Sequence, residues 1–275
     1  KSTIKSLYEF EEHAGKKLTF NSFNLDLYDN LIDYYYNARG NSKNTVGNRI
    51  KHLKAILNNA HKRELIKNRL FDEYQKPSAI SEDIALTFEE CKKIQDLELE
   101  NKTLAIIRDL FIVGCETGLR FSDYSNLKKE YFKDGILSFV TAKTTRKTYI
   151  AVSPVLQSIL EKYDYQLPNL KNTVTFNKKI KHICNLAGID DPTTLKKSVK
   201  MRYKDITKPK YEWVGSHTAR RSFATNYYLS YENSLPYLMS ITGHTTEKQF
   251  LNYVKVPRKD LAKSFAESMK KRFNQ

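Results

Sequence analysis

The sequence predicts a mainly α protein with a small β component, an α+β fold, divided into a small helical domain and a larger mixed one. Three observations carry this. In "NTVGNRIKHLKAILNNAHKRELI", Val46, Ile50, Leu53, Leu57 and Ala60 recur at steps of four and three, which gathers them on one helical face. "GILSFVTAKTTRKTYIAVS" has the β-branched content of a two-stranded hairpin. Between the helical start and the rest lies "QKPSAISEDIAL", with a proline, two serines and no apolar period, which reads as a linker.

The elements follow in order. Residues 1 to about 75 are expected to be helical, with "LYDNLIDYYYNARG" stopped by Gly40 and followed by the 46–60 helix, whose Lys51 and Lys62 fall opposite the apolar face. The linker covers about 75–86 and places a boundary near residue 80, giving domains 1–80 and 81–275. After it, Thr87 and Glu90 in "TFEECKKI" fit a capping box. "TLAIIRDLFIVGCETG" reads as a buried helix ending at Gly118, "KKIKHICNLAGI" and "TARRSFATNYYLS" as helices, and "MRYKDITKPKYEWV" as an irregular or strand-containing insert. At the end, Leu261, Phe265, Met269 and Phe273 stand at steps of four, an amphipathic helix over about 258–275.

Composition narrows the function. Lysine and arginine outnumber aspartate and glutamate 47 to 31, a net charge of +16, so a polyanion is the expected partner and nucleic acid the foremost one. A membrane is disfavoured because the most apolar run, "LAIIRDLFIVG", is broken by Arg108 and Asp109 and falls well short of the roughly 20 residues a span needs. No signal peptide is visible. Cys91, Cys115 and Cys184 are odd in number and widely spaced, which gives no disulfide framework or metal pattern and suits a reducing cytoplasm. There is no glycine-rich phosphate loop and no paired carboxylates of nuclease type, so no metal or other cofactor is expected.

Chemistry on a phosphodiester without a metal needs fixed cations, and arginine's planar fork meets phosphate oxygens bidentately. "SHTARRSFATN" puts His217 and Arg220 three residues apart, on one face of a helix. "ETGLRFSDYSNL" puts Arg120 two residues after a glycine, and "TAKTTRKTY" carries Lys143, Arg146 and Lys147 at a hairpin tip. Taken singly, these read better as a basic first turn, a surface arginine and solvated edge lysines.

Their joint order is more specific. Arg120, a hairpin lysine, His217-x-x-Arg220, Gly243-His244 and then Tyr253, nine residues after that histidine, form an ordered set over about half the chain. With "TGLRFSDYSNL", "HTARRSFAT" and "ITGHTTEKQFLNYVKV", the sequence resembles the tyrosine recombinase (phage integrase) family from about residue 85 to 275, with Thr242 where leucine is commoner. "SKNTVGNRIKHLKAILNNA" resembles the family's helical core-binding domain more loosely, and features such as "CNLAGI" look most like integrases of Bacteroides-type conjugative or mobilisable elements.

The resemblance implies a core-binding domain and a catalytic domain closing as a C-shaped clamp on DNA. It implies Tyr253 as the nucleophile forming a 3′-phosphotyrosyl link, Arg120 and Arg220 as the phosphate clamp, Lys143 as general acid, His217 as base and His244 as a phosphate ligand, with strands exchanged through a Holliday junction. Lys43, Thr45, Lys51, Arg146 and Lys147 are the expected DNA contacts. The implied partners are double-stranded DNA at specific sites, three further copies in a homotetramer with the terminal helix exchanged between protomers, and accessory DNA-bending or excision proteins; the implied location is the bacterial cytoplasm, at the nucleoid. The rival readings are a non-catalytic DNA-binding or architectural protein and a type IB topoisomerase.

Overall fold

The computed structural model describes residues 2–140, 147–170, 172–230 and 234–255, together with 262, 266, 269 and 270. The chain forms two compact units: Lys1–Glu82 with Thr194–Thr207, and Asp83–Thr193 with Lys208–Gln275. The sequence boundary near 80 leaves 194–207 with the second domain; by packing, this segment groups with the first.

In the first unit, α1 (Ser2–Ala14), α2 (Leu25–Asp33) and α3 (Lys43–Lys62) surround an aromatic-rich core. The apolar face expected of α3 is the buried one, with Val46, Ile50, Leu53, Leu57 and Ala60 all inside. Ser42 caps α3, its Oγ accepting from the Thr45 amide at 3.4 Å. After α2 the helix widens to a π turn over Tyr34–Ala38, which buries all three consecutive tyrosines, and Gly40 at φ +63° ends it. A side chain at Gly47 would overlap the Pro77 carbonyl, so the glycine lets the following segment lie directly on α3.

The insert expected to be irregular is a regular hairpin, β4 (Pro192–Val199) and β5 (Arg202–Pro209), turning at Lys200 with φ +53°. Its alternation is hard to read because only Leu195 of β4 is buried and the remaining side chains face water or half-buried surroundings. Within its unit it is tied to α3 and the linker: the Lys43 amide donates to Ser198 Oγ (3.2 Å), the Ile80 amide to Tyr203 Oη (3.1 Å) and the Lys196 amide to Glu82 Oε2 (2.6 Å).

The second unit is built around α5 (Lys102–Thr117), the buried helix expected from "TLAIIRDLFIVGCETG". α4 (Phe88–Gln95), with the Thr87/Glu90 capping box, packs on it, as do α7 (Pro154–Lys162), α8 (Thr173–Leu186) and α9 (Ser216–Leu229). The charges that interrupt α5 are reconciled with burial by pairing. Asp109, 3% exposed, accepts from Arg108 Nε (2.8 Å), Lys162 Nζ (2.7 Å) and Tyr163 Oη (2.8 Å). An antiparallel sheet of β1 (Phe132–Lys133), β2 (Ile136–Val140) and β3 (Lys147–Ala151) pairs Leu137 with Ile150 and Phe139 with Thr148, so one face is buried. The short α6 (Phe121–Tyr124), α10 (Leu235–Thr242) and α11 (Glu247–Leu251) complete the unit.

Gly118 closes α5 at φ +62° and touches the Phe223 ring. A Cβ there would sit 2.8 Å from Phe223 Cε1 and nearer still to Cδ1. Left-handed backbone and overlap compound each other, so Gly118→Ala is expected to cost about 2–4 kcal/mol of stability, measured by chemical denaturation. A loss below about 1 kcal/mol would show that the turn and ring can relax.

Candidate active site

The second unit brings five of the six catalytic candidates named from sequence into one neighbourhood. Arg120 is the residue before α6, reached through the tight turn at Gly118 and the buried Leu119. α9 carries His217 and Arg220. Its start is fixed by Asn177 of α8, whose Oδ1 accepts from the Ser216 amide (2.8 Å), and by Thr218 Oγ1, which accepts from the Gly215 amide (3.0 Å). Gly243, at φ +61°, ends α10 and turns the chain to His244. Tyr253 follows α11 and is held on both sides: Phe250 is fully buried, and the Lys255 amide donates to Thr225 Oγ1 of α9 (3.0 Å).

Arg220 is the pivot. Only 2% exposed, it donates from Nη1 to the Gly118 carbonyl (2.8 Å) and from Nη2 to the Thr242 carbonyl, joining the C-terminal ends of α5 and α10. Helix C-termini present unpaired, partly negative carbonyls, so a buried cation is well placed there. Its Nε is buried with no hydrogen-bond partner. The guanidinium carbon lies 5.6 Å from the centre of the Tyr253 ring, and the His244 ring lies 4.6 Å from that ring on centroids.

The electrostatics describe a cationic site. Burial, then repulsion from Arg120, lowers the Arg220 pKa to about 10, with the Asp123 carboxylate among the groups opposing this. Burial and then Arg220 and Arg120 lower His244 to about 4. His217, whose ring keeps considerable solvent contact, is also lowered, by desolvation first and then by Arg221, Arg220 and Arg120, against the pull of Asp83. Arg221 itself is paired with Asp83 at 3.0 Å. His244 is therefore neutral at pH 7, and His217 is biased toward the same form.

A histidine whose folded pKa lies below its unfolded value binds its proton first in the unfolded chain. Stability conferred by the neutral ring is complete above about pH 6.5 and falls as pH drops toward 4. After discounting for partial exposure, wild type is expected to lose about 1 kcal/mol more than His244→Gln between pH 7.5 and 5, by denaturation at each pH. Parallel losses in the two proteins would contradict the assigned field.

Of the other candidates, Lys143 and Arg146 lie outside the described residues, as do Leu261, Phe265 and Phe273 of the terminal helix; Met269 is exposed. Lys147 opens β3, exposed, with Nζ 5.4 Å from the centre of the Tyr149 ring. Lys43, Thr45 and Lys51 are on α3 of the first unit. Lys43 Nζ stands 5.8 Å from the centre of the Tyr203 ring, Thr45 Oγ1 is 3.0 Å from Ser42 Oγ, and Lys51 is exposed. Sequence reasoning missed the two carbonyls that hold Arg220, the buried Asp123 that offsets its charge, and the part played by the Thr242 hydroxyl. Asp123 leaves a trace in the sequence as an acid three residues after Arg120, and Thr242 leaves one only as a departure from the commoner leucine. Among the described residues no group of His, Cys, Asp and Glu could hold a metal ion, and no helix is long and apolar enough to cross a membrane.

Residues 1–76 match the family model of the phage integrase SAM-like domain. No curated protein matches significantly. Solved structures do. A lambda integrase dimer bound to a COC′ core site matches with a TM-score of 0.67 at 14% identity, over 91% of this chain and 86% of that one. XerH site-specific recombinase bound to a palindromic difH substrate gives 0.64 at 16%, over 96% and 76%. The Tn1549 transposon integrase in complex with transposon right end DNA gives 0.61 at 13%, over 98% and 92%. The chain thus has the fold shared by these integrase and recombinase structures, and its first 76 residues match the phage integrase SAM-like domain.

Proposed function

We propose that this protein is a site-specific DNA recombinase of the integrase type, cutting and rejoining DNA through a covalent link to Tyr253. The observation that carries this is the cationic cluster around that tyrosine: the Arg220 guanidinium lies 5.6 Å from the centre of its ring and the His244 ring 4.6 Å from it, and burial followed by repulsion from Arg120 and its neighbours outweighs the pull of Asp123 on Arg220 and of Asp83 on His217. Cations that repel one another in a partly buried site are relieved by an anion, and a phosphodiester offers two non-bridging oxygens to two arginines.

In this reading Arg120 and Arg220 hold the scissile phosphate. Tyr253 Oη attacks phosphorus, the phenolic proton passes to a neutral histidine, the bond from phosphorus to the 5′-oxygen breaks, and that oxygen is protonated by the hairpin lysine, Lys143. The products are a 3′-phosphotyrosyl ester and a 5′-hydroxyl. Because the ester keeps the phosphodiester's energy, a 5′-hydroxyl from another duplex reverses the step and exchanges strands without ATP. Four protomers acting on two duplexes would then pass through a Holliday junction and move a mobile element, with accessory DNA-bending proteins, in the bacterial cytoplasm.

α3 supplies phosphate contacts through Lys43, Thr45 and Lys51, and the hairpin supplies them through Arg146 and Lys147. These set affinity and register rather than sequence choice. The test is incubation with nicked duplexes of randomised sequence, in which cleavage releases a short strand that cannot return. A covalent band surviving denaturing electrophoresis is expected. Sequence-selective binding with no such band would leave a DNA-binding protein without catalysis.

A further inference from the structure

His244 and Arg220 come from different elements, yet both are held by one residue that neither chemistry nor charge marks out. Thr242, the last residue of α10, is fully buried. Its carbonyl accepts from Arg220 Nη2. Its hydroxyl oxygen lies 2.6 Å from the Leu238 carbonyl one turn back and 2.9 Å from His244 Nδ1.

The hydrogen positions follow from these distances. A carbonyl has no hydrogen to give, so a contact between two oxygens at 2.6 Å places the single hydroxyl hydrogen on the Leu238 side. The hydroxyl then has only lone pairs left for the ring, and Nδ1 must bring the hydrogen. We propose that Thr242 is a positioning residue that locks His244 in the Nδ1–H tautomer, leaving Nε2 bare, while its carbonyl sets the Arg220 fork. A leucine here, the commoner residue in the family resembled, could supply the carbonyl but nothing to choose the tautomer.

The consequence deepens the proposed reaction and rests on it. With the ring kept neutral by burial and then by the neighbouring arginines, a bare Nε2 accepts hydrogen bonds and cannot donate one to a phosphate oxygen. His244 thus acts as a phosphate donor only after Nε2 has taken up a proton. The ring stands 4.6 Å from that of Tyr253, the group that must lose one.

The test does not depend on DNA chemistry. Two-bond nitrogen–proton correlation spectra of the full chain, labelled with nitrogen-15 histidine, report the tautomer of each ring, and His244→Gln identifies the His244 signals. At pH 7.5 the free protein is expected to show His244 protonated at Nδ1. Thr242→Ser should keep that pattern. Thr242→Val, close in shape but without a hydroxyl, should convert most of the population to the Nε2–H form and reduce cleavage of nicked duplexes at least tenfold. An Nε2–H pattern in the wild type overturns the proposal, whatever becomes of the variants. So does a Thr242→Val spectrum unchanged from the wild type. A wild type with the expected tautomer but no covalent adduct would leave the tautomer lock standing and remove the recombinase reading.

Discussion

Replacing Tyr253 by phenylalanine will eliminate the covalent protein–DNA adduct and leave affinity for the same duplex within about twofold of wild type. The substitution removes one oxygen and keeps the ring that His244 and Arg220 flank. Nothing else in the proposed step can form the ester, so the loss should exceed the 10²–10³-fold expected on removing a single stabilising donor and reach the limit of detection. Equilibrium binding and denaturing electrophoresis, run side by side, separate the two effects. A parallel fall in affinity and adduct would mean the hydroxyl holds DNA rather than attacks it.

Arg220→Ala should damage both the reaction and the fold. Truncation removes one arm of the phosphate clamp and should lower the cleavage rate by at least about 10²–10³-fold. It also strips partners from the Gly118 and Thr242 carbonyls, which end two different helices in the buried interior, at an expected cost of about 2–4 kcal/mol. Arg220→Lys keeps the charge but cannot span both carbonyls and a phosphate, so it should recover part of the stability and little of the rate. Measured together by denaturation and single-turnover cleavage, full stability in Arg220→Ala would show that the carbonyl contacts are dispensable.

The apolar period of α3 and the stop at Gly118 were legible in the sequence because each is a local rule: a face every three or four residues, or a glycine where φ turns positive. The hairpin 192–209 was not, since a strand exposed on both faces shows no alternation, and its grouping with the first unit depends on contacts with residues more than a hundred positions away. The site divides in the same way. His217 and Arg220 share a helix face, and their spacing announces it. That Arg120, His244 and Tyr253 gather beside them is legible only through the resemblance of the motif order to a family, and the structure supplies the physical reason in Arg220 joining the turns at Gly118 and Thr242. In the sequence, Thr242 stands out only as a departure from the leucine commoner before a Gly-His pair. Its role needs the position of Leu238 one turn earlier, which a linear motif does not encode.

In the proposed reaction one of eighteen tyrosines does the chemistry. Covalent complexes trapped on nicked duplexes can be digested with nuclease and protease and the modified peptide identified by mass spectrometry. A 3′-phosphonucleotide is expected on Tyr253, in the peptide that follows Lys248. The same adduct on any other residue, or none from a protein that binds DNA, would contradict it.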